Sequence, residues 1–111
     1  MNEIYLSGTV ADRPARSEQG GRARHTAFHL LVTHRNSLGF TRCELYHINT
    51  WNALADWVGL NLIPGTRVML RGYLTQRAGN SGVSVEITAI QVYVGQSVNT
   101  PNRPAPPLPR E

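Results

Sequence analysis

Apolar side chains recur at every second position along most of residues 1–95, and at helical spacing only once, between Leu54 and Leu62. Alternation of this kind puts one face of a strand on a core and the other toward water, so the chain must fold mainly as a sheet that buries one side. Its 111 residues leave room for a single such core. Ile4, Leu6 and Val10 alternate with Glu3, Tyr5, Ser7 and Thr9, and Gly8 in the apolar register marks a bulge or sharp bend. After a turn-rich stretch from Asp12 to Gly21, a second strand spans about 24–34, with Phe28, Leu30 and Val32 on one face. A third spans about 40–50. Leu54, Trp57, Val58 and Leu62 then predict one short amphipathic helix, capped by Asn49, Thr50 or Asn52 and ended by Pro64-Gly65, with Trp57 in the core. A fourth strand at 67–74 turns Val68, Leu70 and Leu74 inward and Arg67, Met69, Arg71 and Tyr73 outward, and a turn at 79–82 leads to the last strand at 83–94.

Three strands, one helix and two strands is the element order of an all-β, five-stranded OB-fold Greek-key barrel with a short helix between strands 3 and 4. Gly8 and Gly72 fit the bends that a closing sheet needs. An SH3-like barrel or a general α+β domain are the other architectures this order allows. Beyond Gly95 the composition changes: five of the seven prolines fall in residues 96–111, with almost no large apolar side chains. The expected organisation is therefore a folded domain over 1–95 and a Pro-rich disordered tail over 96–111.

All eleven basic residues are arginine, against seven acidic ones, for a net charge of +4. Arginine makes bidentate phosphate contacts and stacks on bases, where lysine offers a point charge, so this balance favours a nucleic-acid partner. Enzyme signatures are missing: there is no phosphate-binding loop, no nucleophile elbow and no HExxH helix, and an enzyme is not expected. No cofactor, metal or small-molecule substrate is expected either. His25, His29, His34 and His47 lack cysteine or carboxylate neighbours at ligand spacing. Cys43, the single cysteine, reads as a passive strand residue. No stretch approaches the roughly 20 apolar residues of a membrane span, and Met1-Asn2-Glu3 opens no signal peptide, so a cytoplasmic protein with no membrane partner is expected.

The third strand carries the candidate site. Leu45, His47, Asn49 and Trp51 share one parity, while Tyr46 and Ile48 on the other suit the core. Trp51 beside His47 on a polar face would be a stacking platform for single-stranded nucleic acid; the alternative is that Trp51 packs on the helix start. Phe40 lies among His34, Arg35 and Arg42, either in a nucleic-acid groove or as a lid on the barrel end. Tyr73 shares its face with Arg67 and Arg71, either as a binding surface or as a solvated sheet face. Trp51, His47, Phe40, Arg35, Arg42, Arg67, Arg71 and Tyr73 are thus the candidate nucleic-acid contacts.

Asn2-Glu3-Ile4-Tyr5-Leu6-Ser7-Gly8-Thr9-Val10 resembles the first strand of the bacterial single-stranded-DNA-binding protein family and of primosomal replication protein N. Trp51-Asn52-Ala53-Leu54-Ala55-Asp56 and Pro64-Gly65-Thr66-Arg67-Val68 resemble the helix and fourth strand of the former, where the position of Trp51 stacks on bases. His34-Arg35 and Gly39-Phe40-Thr41-Arg42 are more similar to primosomal replication protein N. The resemblance covers roughly residues 1–94. It implies single-stranded DNA as partner, a role in replication, recombination or repair, a dimer or tetramer of paired barrels, and replication or restart proteins as further partners. A replication-restart accessory protein is the alternative within this class. A protein-interaction module using the tail is the alternative outside it. The chain departs from the family at Leu45, near Asn36 and at Ala78-Gly79, where aromatics are usual, and in its last residues Pro107-Leu108-Pro109-Arg110-Glu111, where an acidic tip is usual.

Overall fold

The computed structural model describes residues 1–17 and 23–95; the expected tail at 96–111 lies outside the described residues. Six strands and one helix follow in the order β1 (Ile4–Val10), β2 (Ala15–Ser17), β3 (His25–Arg35), β4 (Thr41–Trp51), α1 (Asn52–Asn61), β5 (Arg67–Gly79) and β6 (Gly82–Val94). The sheet runs β1-β5-β6-β4-β3-β2, and β1 also pairs with β3. That second pairing closes β1, β5, β6, β4 and β3 into a five-stranded barrel, with β4 and β6 parallel and the other neighbours antiparallel. The expected OB-fold is the observed one. The short β2 is an addition to it, laid along the start of β3.

The alternating residues fill the barrel. Val10, Phe28, Leu30, Ile48, Leu70, Ile87 and Val92 are buried in one cluster, and Leu54, Val58 and Leu62 from the helix side join them. Trp57, expected inside, is only partly buried and packs against this cluster from its margin. Thr50, also fully buried, donates its hydroxyl to the carbonyl of Thr26 at 2.6 Å, so its polar atom is satisfied.

Two glycines make closure possible. A Cβ at Gly8 would collide with the carbonyl of Leu31, where β1 leaves β5 and meets β3. At Gly72 the register steps by one: Arg71 faces Gln91, Gly72 faces Ala89, and Ile90 is left as the bulged residue. A bulge of this kind bends and twists its strand, as a small barrel requires.

Three expectations need correction. None of the expected caps, Asn49, Thr50 or Asn52, is used: the helix begins at Asn52, and Trp51 occupies the cap position without a side-chain hydrogen bond. Asn49 and Thr50 are bonded elsewhere, and the Asn52 N–H donates to the carbonyl of Arg24 at 2.9 Å. The fourth predicted strand does not stop at Leu74, because β5 and β6 continue as a paired arm to Gly79 and Gly82. Leu74 keeps the inward parity, opposite the buried Ile87, but is itself exposed.

Candidate nucleic-acid interface

The register of β3 on β4 decides which side chains meet on the outer face. His25 lies opposite Trp51, Ala27 opposite Asn49 and His29 opposite His47. The His25 and Trp51 rings are 4.4 Å apart between centroids and tilted by 42°, with the indole residue 36% exposed. Trp51 is therefore on the polar face that strand parity gave it, backed by His25. His29 and His47 meet edge to face at 5.2 Å.

Hydrogen bonds join these rings. The Asn49 side-chain oxygen accepts from His47 Nε2 at 3.1 Å and from His25 Nε2 at 2.7 Å, and its nitrogen donates to Glu86 Oε1 at 2.8 Å. Asn49 itself is buried, unlike the wet position its parity suggests. At the other end Asp12 accepts the backbone N–H of His29 and meets its ring Nδ1, both at 2.7 Å. The Ala11 N–H also donates to the His29 carbonyl at 2.8 Å, so Asp12 extends the short seam between β1 and β3.

Burial pushes the Asp12 carboxyl up, but the two hydrogen bonds from His29 and its nearby charge outweigh this and hold it below the usual aspartate range. A depressed folded value gives stability that is present above the ordinary aspartate pKa, near 3.9, and lost as pH falls through the lower folded value. Melting temperature should therefore fall more steeply in the wild type than in Asp12→Asn as pH drops below the ordinary aspartate range. The variant should also melt earlier at neutral pH. Parallel curves for the two proteins would show that Asp12 does not clamp the seam.

The sequence-predicted contacts fall into three groups. Trp51 and His47 are brought together. Tyr73 is on the same outer surface, since Tyr73 and Asn49 both flank Thr88, about 10 Å apart across two strand spacings. Arg35, Phe40 and Arg42 gather at the β3–β4 hairpin end, roughly 33 Å along the ribbon from Trp51. There Asn36 Oδ1 accepts the Leu38 and Phe40 N–H groups at 3.0 Å each, and Phe40 is 69% exposed, so it is no lid on the barrel. Arg35 shares the face of Trp51, whereas Arg42 alternates onto the opposite face with Glu44, 3.7 Å away. Arg67 and Arg71 stand on β5 beside β1. Arg71 is occupied, donating to Glu3 at 3.2 Å and to Gln91 at 2.9 Å. The Tyr5 hydroxyl and Arg71 together hold the Glu3 carboxyl below its usual range. Arg67 has no acidic partner among the described residues.

Sequence reasoning missed His25, His29, Asp12, Glu86 and the bonding role of Asn49. The parity of His25 and His29, opposite to Phe28, was the available signal. Among the described residues, no group of three or more His, Cys, Asp or Glu side chains is placed to hold a metal ion. No described helix is long and apolar enough to cross a membrane.

No curated protein matches the chain. A family model, the single-strand binding protein family, matches residues 1–99. That span takes in every strand of the barrel, the helix and the outer face that carries Trp51, and the chain belongs to the single-strand binding protein family.

Proposed function

We propose that this protein binds single-stranded DNA without base specificity on the outer face of β3, β4, β6 and β5. Trp51 stacks on a base, with Tyr73 and Phe40 as further stacking residues, while arginines led by Arg35 and Arg67 neutralise phosphates. His47 lies beside the stacked base, and Arg42 and Arg71 contribute from the margins. Family membership supports binding of single strands in general. The observation that carries the contacts is the position of Trp51: a large aromatic on a polar sheet face, held against His25 and outside the barrel core. Stacking suits any base, since each has a π-face, and arginine–phosphate pairing carries no sequence information.

A dimer or tetramer, and service in replication, recombination or repair, belong to the same proposal. Tyr5, Met69 and Tyr93, exposed on the outer face of β1, β5 and β6, supply apolar surface for pairing barrels.

Removing one base stack costs about 1–3 kcal/mol. Trp51→Ala should weaken oligo-dT binding by roughly 5- to 150-fold, while Trp51→Phe, which keeps a flat ring, should recover most of the loss. Melting should change little in either, because Trp51 stands outside the core cluster. Equal affinities of Trp51→Ala and wild type for oligo-dT would contradict the reading.

A further inference from the structure

His25 occupies an unusual position for a histidine on this face. It is 7% exposed, its ring lies against Trp51, and Asn49 fixes its orientation. Glu86 only accepts, so the Asn49 amide must turn its nitrogen toward Glu86 and its oxygen toward the histidines. His25 therefore donates through Nε2. That leaves Nδ1 as a buried side-chain nitrogen with no hydrogen-bond partner among the described residues. Buried polar atoms are normally paired, and leaving one unpaired carries a cost. A ring kept there at that cost is serving something other than its own hydrogen bonding, and the group it touches is the indole of Trp51.

We propose that His25 is a positioning residue for single-strand binding: it backs one face of Trp51, fixes the plane of the indole, and leaves the opposite face to take one nucleobase. Glu86 and Asn49 hold His25 in turn, so the chain of contacts runs from β6 through β4 to β3 and back to the platform. The inference rests on the reading of Trp51 as the stacking residue. Its physical content is pre-organisation. A half-exposed indole without backing samples several rotamers and loses that freedom when a base binds, whereas a backed one has already lost it.

The test compares His25→Phe with His25→Leu, two apolar replacements of which only the first offers a flat ring, each in the wild-type and Trp51→Ala backgrounds. Oligo-dT affinity and melting temperature are read for all. His25→Phe should bind within about twofold of wild type, and His25→Leu about three- to tenfold more weakly. That difference should vanish when Trp51 is absent. Equal binding by the two variants would overturn the proposal. So would a difference that persists in the Trp51→Ala background, because His25 would then act on the fold and not on the indole. If Trp51→Ala alone leaves affinity unchanged, the stacking reading fails first and takes this inference with it. If the two single variants differ in affinity in step with their melting temperatures, the role is structural and the proposal is wrong.

Discussion

Phe28→Ala should lower the stability of the barrel by about 3–5 kcal/mol, the usual cost of emptying a fully buried aromatic site. Phe28 is 1% exposed and faces Ile48 across the β3–β4 ladder, at the centre of the cluster that also holds Leu30 and Val58. Ladder hydrogen bonds pin its backbone, so neighbours cannot collapse far into the space left behind. A domain of this size has only about 5–15 kcal/mol of stability in total. Chemical denaturation followed by circular dichroism should show a midpoint shift of that size with little change in slope. A loss below about 1 kcal/mol would mean that the core closes around the gap, contrary to the packing described.

Gly72→Ala should cost about 3 kcal/mol or more, at the upper end of overpacking effects, because the obstacle is main chain. An added Cβ would lie inside the contact distance of the Thr88 carbonyl oxygen, 2.9 Å from its carbon and 3.0 Å from the Ala89 Cα. Side chains yield by changing rotamer, but here β5 and β6 would have to separate at the bulge that bends the barrel. Gly59→Ala is the matched control. It sits in α1 with its nearest neighbour atom at 3.7 Å, so the same change should stabilise by roughly 0.5–1 kcal/mol through helix propensity. Opposite signs at the two glycines are the expected result. A neutral Gly72→Ala would show that the strands give way there at no cost.

The barrel was legible because its inner face is written in short-range alternation: Ile4-Leu6-Val10, Phe28-Leu30-Val32 and Val68-Leu70 each name their buried side without reference to another strand. Where the ladder continues without burial, that signal stops. Gln76 and Arg77 carry no alternation, yet β5 runs on to Gly79 because β6 pairs with it. β2 is three residues paired with β3, and no apolar pattern marks it. The cap was misassigned because the strand-to-helix turn uses Asn52 at φ 57° in place of a side-chain cap, a conformation asparagine tolerates better than most residues. The site divides in the same way. Parity placed Trp51 and His47 together, since they belong to one strand. His25, Asp12 and Glu86 reach them only through β3–β4 register, the β1–β3 seam and the parallel β4–β6 pair, which are long-range facts. The same holds for Arg71, which Glu3 and Gln91 engage from neighbouring strands.

The central claim, single-strand binding through stacking and arginine–phosphate contacts, is tested most directly by titrating the protein with oligo-dT and with duplex DNA at several salt concentrations. Each phosphate contact to a single strand contributes about −0.7 to the slope of log affinity against log salt. Three such contacts predict a slope of about −2, flattened by about one contact in Arg35→Ala, and tighter binding of oligo-dT than of duplex at every salt. An affinity that barely changes with salt, or duplex bound as tightly as oligo-dT, would contradict the account.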